Sequence, residues 1–137
     1  MKSSTLRRTL ATAVALGALG TGSLVTAAPA SAAMKDGRAD FGEFILHYSA
    51  GLDESWTDFA WDEDYLFNDR FITPGSGYNQ AVDNNAESYL NRADFTWYVY
   101  TGAVHTGNEG WLPDYYLGDF SSTFKNQVSS IYNNDAN

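Results

Sequence analysis

Two polar phrases of the same type contain the side chains best suited to a binding site. Each phrase places amide, hydroxyl and charged groups within six residues, follows an aromatic stretch and directly precedes another strand-like segment. Asn, Asp and Ser side chains readily bond nearby backbone groups, so such phrases can brace loops without any ligand. The sequence therefore predicts two equivalent loops, at residues 83–88 (DNNAES) and at residues 125–130 (KNQVSS).

An acidic and aromatic run at residues 53–65 (DESWTDFAWDEDY) is the strongest candidate for catalysis. Glycoside hydrolysis requires two carboxylates separated by roughly 5 Å or 6.5 to 9.5 Å, in a cleft that holds sugar rings. A domain of about 100 residues has little room for such a cleft. We therefore interpret the run as a solvated acidic face over buried aromatic side chains.

Nucleophilic catalysis has no recognisable signature either. The chain contains no Gly-x-Ser-x-Gly phrase and no cysteine, and its two histidines lack a local partner pattern. We interpret His47 as a structural residue of a strand and His105 as an exposed loop residue. The sequence predicts a protein that is not an enzyme and needs no cofactor.

The first 32 residues have the layout of a secretory signal peptide. Lys2, Arg7 and Arg8 precede an apolar run, which ends in the small-residue phrase Ala30-Ser31-Ala32. We expect cleavage after Ala32 and a secreted, extracellular protein of one domain. The expected organisation is an N-terminal extension at residues 33–41, a folded domain at residues 42–133 and a C-terminal tail at residues 134–137.

The charge of the remaining chain limits its partners. Three of the eight basic residues lie in the predicted signal peptide, whereas all 17 acidic residues follow it, which leaves 105 residues with a net charge of −12. Such a surface repels nucleic acid and anionic lipid and attracts cations or basic protein surfaces. We expect no nucleic-acid partner, no membrane partner and a monomer.

Strand and turn signals alternate along the predicted domain. Residues 44–51 (FILHYSAG) and 95–104 (FTWYVYTGAV) predict strands, and Gly- and Pro-rich stretches between them predict turns. Residues 54–70 fit either strands with a turn or a short helix. Residues 105–114 (HTGNEGWLPD) predict an exposed loop in which Trp111 could anchor a partner.

The two halves of the domain repeat one pattern. Each has a strand, a Gly-containing turn, an aromatic segment, a polar phrase and a closing aromatic strand, with a period of about 45 to 50 residues. Two units of this size cannot each bury a core alone, so we expect them to pack together. The pattern predicts an all-β sandwich or barrel.

The chain resembles βγ-crystallin-like domains, in which two Greek-key motifs pack as a β-sandwich. The residues that carry this resemblance are above all FILHYSAG, TWYVYTGA, AESYLNR and VSSIYN. More narrowly, it is similar to secreted actinobacterial peptidase inhibitors of that fold. The resemblance implies that the protein inhibits an extracellular peptidase, with a metallopeptidase as the implied target class. Disulfides belong to that family's pattern, and this chain has none.

The resemblance also implies calcium at the polar phrases. The family's phrase is Asx-Asx-x-x-Ser/Thr-Ser, and calcium accepts carbonyl, hydroxyl and carboxylate oxygens together. Glu87 stands where Ser or Thr belongs, and Lys125 stands where the first Asx belongs, so the phrases depart from the pattern. The implied metal ligands are Asp83, Asn84, Glu87, Ser88, Asn126, Ser129 and Ser130.

Two other functions remain open. A small exported sandwich rich in Trp and Tyr also suits a carbohydrate-binding module, because exposed aromatic rings stack on sugar faces. Aromatics exposed together on one sheet face would favour that function, and aromatics buried between the sheets would not. An extracellular structural or calcium-binding protein without inhibitory activity is the other alternative.

Overall fold

The computed structural model describes residues 34–133, and their regular structure is almost entirely β-strand. The predicted signal peptide and C-terminal tail lie outside the described residues. Between residues 34 and 133, no helix has the length and apolar character needed to cross a membrane. The strands are β1 Phe44–Ser49, β2 Asp53–Phe59, β3 Ser88–Asn91, β4 Trp97–Gly102, β5 Thr106–Leu112, β6 Leu117–Asp119 and β7 Ser130–Asn133, and a 3-10 turn occupies Leu66–Asn68.

The strands form two antiparallel sheets, as the sequence predicts. The first sheet has the order β2-β1-β3-β6, and the second has the order β5-β4-β7. Glu63 extends the second sheet, because its N–H and C=O both bond the backbone of Ile131 at 3.0 Å. Each half of the chain thus contributes its third strand segment to the sheet of the other half.

The core lies between the sheets and is rich in aromatic rings. Phe44 and Leu46 point inward from β1, and Trp97 and Val99 occupy the corresponding positions of β4. The rings of Phe44 and Trp97 stack at 5.2 Å with an interplanar angle of 17°. Aromatic packing of this kind stabilises a small core in a chain that has no disulfide.

Residues 105–114 are largely exposed, as predicted, but the prediction of a loop is wrong, because most of this stretch is strand β5. Tyr98 pairs with Trp111 and Tyr100 with Glu109 across β4 and β5. Gly110 is a packing residue, since a Cβ there would lie 2.8 Å from the Phe124 ring. The glycines that suggested a turn therefore serve a strand that must pass close to a neighbouring side chain.

The ambiguous segment at residues 54–70 divides into two parts. Its first part completes β2, and its later part contains the 3-10 turn at Leu66–Asn68. The interpretation of residues 53–65 as a solvated acidic face over buried aromatics is only partly right. Asp58 is fully buried, whereas Trp61 and Tyr65 are 58% and 43% exposed.

Candidate functional site

The two polar phrases occupy equivalent turns that lie side by side. Asn84 and Asn126 both adopt the left-handed backbone conformation, with φ of 59° and 55°. The Asn84 N–H bonds the Val128 carbonyl at 3.0 Å, and the Asn126 N–H bonds the Ala86 carbonyl at 2.9 Å. Each phrase thereby fixes the backbone of the other, and each leads into the last strand of its half.

The final serine of each phrase braces a β-hairpin. Ser88 Oγ donates to the Ser49 carbonyl at 2.6 Å and accepts the Leu52 N–H at 3.1 Å. Ser130 Oγ donates to the Gly102 carbonyl at 2.7 Å and accepts the His105 N–H at 2.9 Å. Both serines are fully buried, so these hydroxyls act first as structural tethers.

Glu87 forms a polar group with the opposite phrase. Its Oε1 accepts a hydrogen bond from Asn126 Nδ2 at 3.1 Å, and its Oε2 lies 3.5 Å from the Lys125 ammonium. The hydrogen bond from Asn126 and the charge of Lys125 lower the pKa of Glu87. The ammonium therefore neutralises a carboxylate that could otherwise bind calcium at this position.

Asp83, Asn84 and Ser129 form the second polar group. Ser129 Oγ donates to Asn84 Oδ1 at 3.3 Å, and Asn84 Nδ2 donates to Asp83 Oδ2 at 3.3 Å. Among residues 34–133, the salt bridges do not include Asp83. This donor set is compatible with calcium, which takes carboxylate, amide and hydroxyl oxygens. Calcium binding at the phrases stays a prediction, and this second group fits it better than the first.

A row of aromatic side chains crosses the outer face of the second sheet. Tyr98 lies between Trp111 and Tyr132 in the strand register, and the three form what we call the aromatic row. Trp111 is 66% exposed, and the Tyr98 and Tyr132 rings are 6.0 Å apart with an interplanar angle of 49°. Beside the row, the Tyr100 hydroxyl donates to Glu109 Oε2 at 2.9 Å, which places a carboxylate on the same face.

Residues 113–116 connect β5 to β6, and with Leu117, the first residue of β6, they form an exposed apolar loop at residues 113–117 (PDYYL). The loop predicted at residues 105–114 included only Pro113 and Asp114 of it. Tyr115, Tyr116 and Leu117 are 55%, 54% and 60% exposed. Asn91 holds the loop, since its Nδ2 donates to the Pro113 carbonyl at 2.9 Å and its N–H bonds the Tyr116 carbonyl at 2.8 Å. The signal that could have identified the loop is the Pro-Asp turn pair, followed by consecutive apolar side chains that break strand alternation.

The histidines have no catalytic arrangement. His47 is buried beside Trp56, as expected of a structural residue. His105 lies in the turn between β4 and β5, as predicted, but it is only partly exposed, because its ring packs between Tyr100 and Tyr132 and its Nε2 lies 3.2 Å from the Ile131 carbonyl. Its Nε2 also lies 3.4 Å from Asp64 Oδ1, so the ring bridges the hairpin to the neighbouring strand segment.

Comparison with known proteins identifies the fold. No family model matches the sequence, and no curated protein matches it. A structure described for the evolution of the eye lens βγ-crystallin domain fold has a TM-score of 0.57 and 13% identity, covering 71% of this chain and 89% of that chain. A βγ-crystallin from Ciona intestinalis has a TM-score of 0.51 and 13% identity, covering 67% and 99% of the two chains. The N-terminal domain of Protein S has a TM-score of 0.50 and 13% identity, covering 66% and 92%.

All three structures share the fold of the described part of the chain. Because the identity is 13% in each case, they establish the fold and not a shared activity. The described part of the chain therefore adopts a βγ-crystallin fold.

Proposed function

We propose that the protein is a secreted, monomeric and non-enzymatic inhibitor of an extracellular peptidase, and that the apolar loop at residues 113–117 enters the cleft of the enzyme. The observation that carries the proposal is the exposure of Tyr115, Tyr116 and Leu117 on one short loop. Aromatic side chains supply much of the binding energy at protein interfaces. The class of partner rests only on the resemblance of the sequence motifs to those of secreted peptidase inhibitors.

The loop meets the main physical requirement of an inhibitor, which is a backbone fixed before binding. Asn91 is 1% exposed and supplies the central hydrogen bonds, and the Tyr115 N–H bonds the Ala93 carbonyl at 3.2 Å. Tyr115 is held in the left-handed conformation, with φ of 60°. These bonds perform the stiffening that disulfides would otherwise provide.

A metallopeptidase is the target that suits this loop best. Asp114 is exposed and lies among the apolar side chains. Catalytic zinc keeps one coordination position for water or substrate, and a carboxylate oxygen can fill such a position. The loop thus combines side chains for apolar pockets with one candidate zinc ligand.

Inhibition assays against a panel of metallopeptidases, with serine peptidases for comparison, test the proposal. We expect Tyr116→Ala and Asp114→Asn each to weaken inhibition at least tenfold, without lowering the thermal stability of the inhibitor. Tyr78→Ala is the matched control, because Tyr78 is 62% exposed on a different loop. An absence of inhibition across the panel, or equal inhibition by all variants, would refute the proposal.

A second candidate function is carbohydrate binding by the aromatic row. Trp111, Tyr98 and Tyr132 lie together on one outer sheet face, with Glu109 near enough to accept hydrogen bonds from sugar hydroxyls. Aromatic rings arranged in this way can stack on sugar rings. In pull-down experiments with insoluble polysaccharides, Trp111→Ala should abolish binding and Tyr78→Ala should not. Retention of the wild-type protein on none of them would exclude this function for the polysaccharides tested.

Calcium binding at the polar phrases is tested most directly at Lys125. The substitution Lys125→Asn restores the Asx of the family pattern and removes the ammonium beside Glu87. We expect calorimetry to show one additional calcium ion bound by this variant. An unchanged stoichiometry would mean that the Glu87 group serves only the turns.

A further inference from the structure

Three carboxylates meet on the first sheet, away from both polar phrases. Asp36 comes from the N-terminal segment, Glu43 directly precedes β1, and Asp58 lies in β2. One oxygen of each carboxylate lies within 4.8 Å of the corresponding oxygens of the other two. Oxygens that surround one calcium ion at 2.3 to 2.6 Å have separations of this size.

The position of these residues is unusual for acidic side chains. Glu43 and Asp58 are both 0% exposed, and Asp58 pairs with Ile45 in the strand register, next to the inward-pointing Phe44 and Phe59. Two ionised carboxylates removed from water need compensation by positive charge or by hydrogen bonds. Asp36 is exposed, so one side of the cluster remains open to water.

No nearby cation of the described chain supplies that compensation. None of the salt bridges among residues 34–133 includes Asp36, Glu43 or Asp58. The closest lysine in sequence, Lys35, is paired with Glu63 at 3.1 Å and with Asp69.

An oxygen of the buried Glu43 also lacks a hydrogen-bond partner. Glu43 Oε2 accepts the Asp40 N–H at 2.6 Å, whereas its Oε1 is buried and has no partner. A buried oxygen of this kind costs about 1–3 kcal/mol, or more when it is charged. Burial, together with the charges of Asp58, Asp40 and Asp36, raises the pKa of Glu43 to about 7, as expected where negative charge accumulates.

Backbone hydrogen bonds hold the other two carboxylates in place. Asp58 accepts the Gly37 N–H at 2.9 Å and the Asp36 N–H at 3.1 Å, one on each oxygen. Asp36 Oδ1 accepts the Arg38 N–H at 2.9 Å. A carboxylate oxygen has two lone pairs, so these bonds orient the cluster and leave acceptor capacity for a ligand.

We propose that Asp36, Glu43 and Asp58 bind one calcium ion, which fastens the N-terminal segment to β1 and β2. The donors are all oxygens, which favours a hard cation over zinc or copper. Water can complete the coordination from the open side at Asp36. The site is independent of the polar phrases and of the proposed inhibitory loop.

Calorimetric titration of calcium into the chelator-treated protein tests the proposal. We expect Asp36→Asn to weaken binding at least tenfold, and it should still fold because Asp36 is exposed. Asp94→Asn is the control, since Asp94 is also exposed and its charge is not among those that raise the pKa of Glu43. Calcium should also shift the NMR signals of the Asp36 and Gly37 amides, which donate to Asp58.

The alternatives give different outcomes. Binding that is lost in Asp83→Asn and kept in Asp36→Asn would assign the ion to the polar phrases and overturn this proposal. An absence of calcium binding up to millimolar concentrations, with Glu43→Gln more stable than wild type, would show that a proton on Glu43 compensates the cluster. Loss of inhibition in loop variants that still bind calcium would separate this site from the proposed function.

Discussion

Asn91 shows how one buried side chain can fix a surface loop. The two N–H groups of its Nδ2 are shared among the carbonyls of Phe95, Leu112 and Pro113, and its Oδ1 accepts the Ala93 N–H. A side chain with fewer bonds would leave several buried backbone groups without partners. The candidate inhibitory loop therefore depends on a residue that does not itself reach the surface.

We expect Asn91→Ala to lower the free energy of unfolding by about 2–4 kcal/mol, because several buried hydrogen bonds are lost together. Urea denaturation measures the change. Asn108→Ala, at an exposed position of β5, should change the stability by no more than about 0.5 kcal/mol. A loss below about 1 kcal/mol in Asn91→Ala would show that water replaces the amide and that the loop is held by other contacts.

His47 should make the stability depend on pH. Burial lowers its pKa, which its hydrogen bond and charge interaction with Asp53 only partly offset, and its Nδ1 is buried without a partner. The unfolded chain therefore binds a proton near pH 6.5, where the folded protein does not. His47 stabilises the fold above pH 6.5, and this contribution is lost as the pH falls below that value.

Comparison of the wild type with His47→Leu isolates this effect from the carboxylates that titrate in the same range. As the pH falls below 6.5, the free energy of unfolding of the wild type should decrease more than that of His47→Leu. The gap between the two proteins should change by up to about 1.4 kcal/mol per pH unit. Parallel curves for the two proteins between pH 5 and pH 8 would contradict the assignment.

At the scale of elements, the two hairpins β1–β2 and β4–β5 share one design. In each, a serine from the last strand of the same half enters the hairpin and bonds one carbonyl and one N–H. Leu52 and His105 accordingly adopt the same left-handed conformation, with φ of 58° and 55°. The repeat in the sequence is thus a repeat of hairpin and tether.

Ser88→Ala and Ser130→Ala should each lower the stability by about 1–3 kcal/mol, because each leaves a hairpin carbonyl and N–H without a partner. Hydrogen exchange at the Leu52 and His105 amides shows which hairpin each substitution affects. The Leu52 amide should lose protection in Ser88→Ala, and the His105 amide in Ser130→Ala. Ser122→Ala, at an exposed position, should leave both amides as protected from exchange as they are in the wild type. Equal loss at both amides in either variant would indicate global unfolding instead of a local tether.

At the scale of the whole molecule, the exchange of strand segments joins the halves. β6 of the second half pairs with β3, and Glu63 of the first half pairs with Ile131 of β7. Neither half can complete its own sheet, so the domain should unfold in one cooperative transition.

Separate polypeptides of residues 34–93 and 94–133 should therefore be largely unstructured alone and should regain β-sheet circular dichroism when mixed. The physical reason is that each half exposes apolar surface and open strand edges which only the other half covers. The intact chain provides the reference spectrum. Cooperative thermal unfolding of either polypeptide by itself would contradict this prediction.

Local patterns in the sequence were sufficient for the class of the fold and for the outline of the repeat. Apolar and aromatic side chains along residues 44–51 and 95–104 predicted β1 and β4, because strands favour side chains of these types. The polar phrases were recognisable because turn-forming side chains act on neighbouring backbone. Gly110 wrongly indicated a loop, because the side chain that requires a glycine there, the ring of Phe124, is distant in sequence.

Sequence alone determined an all-β, two-part domain with paired polar turns and no recognisable catalytic signature. Only the tertiary structure decided which side chains meet. Asn126 reaches Glu87 across 39 residues, and Ser129 reaches Asn84 across 45. The carboxylates of Asp36, Glu43 and Asp58 likewise come together only when β1 and β2 pair and the N-terminal segment folds over them. Contacts of this kind depend on strand register and sheet order, which a local pattern does not encode.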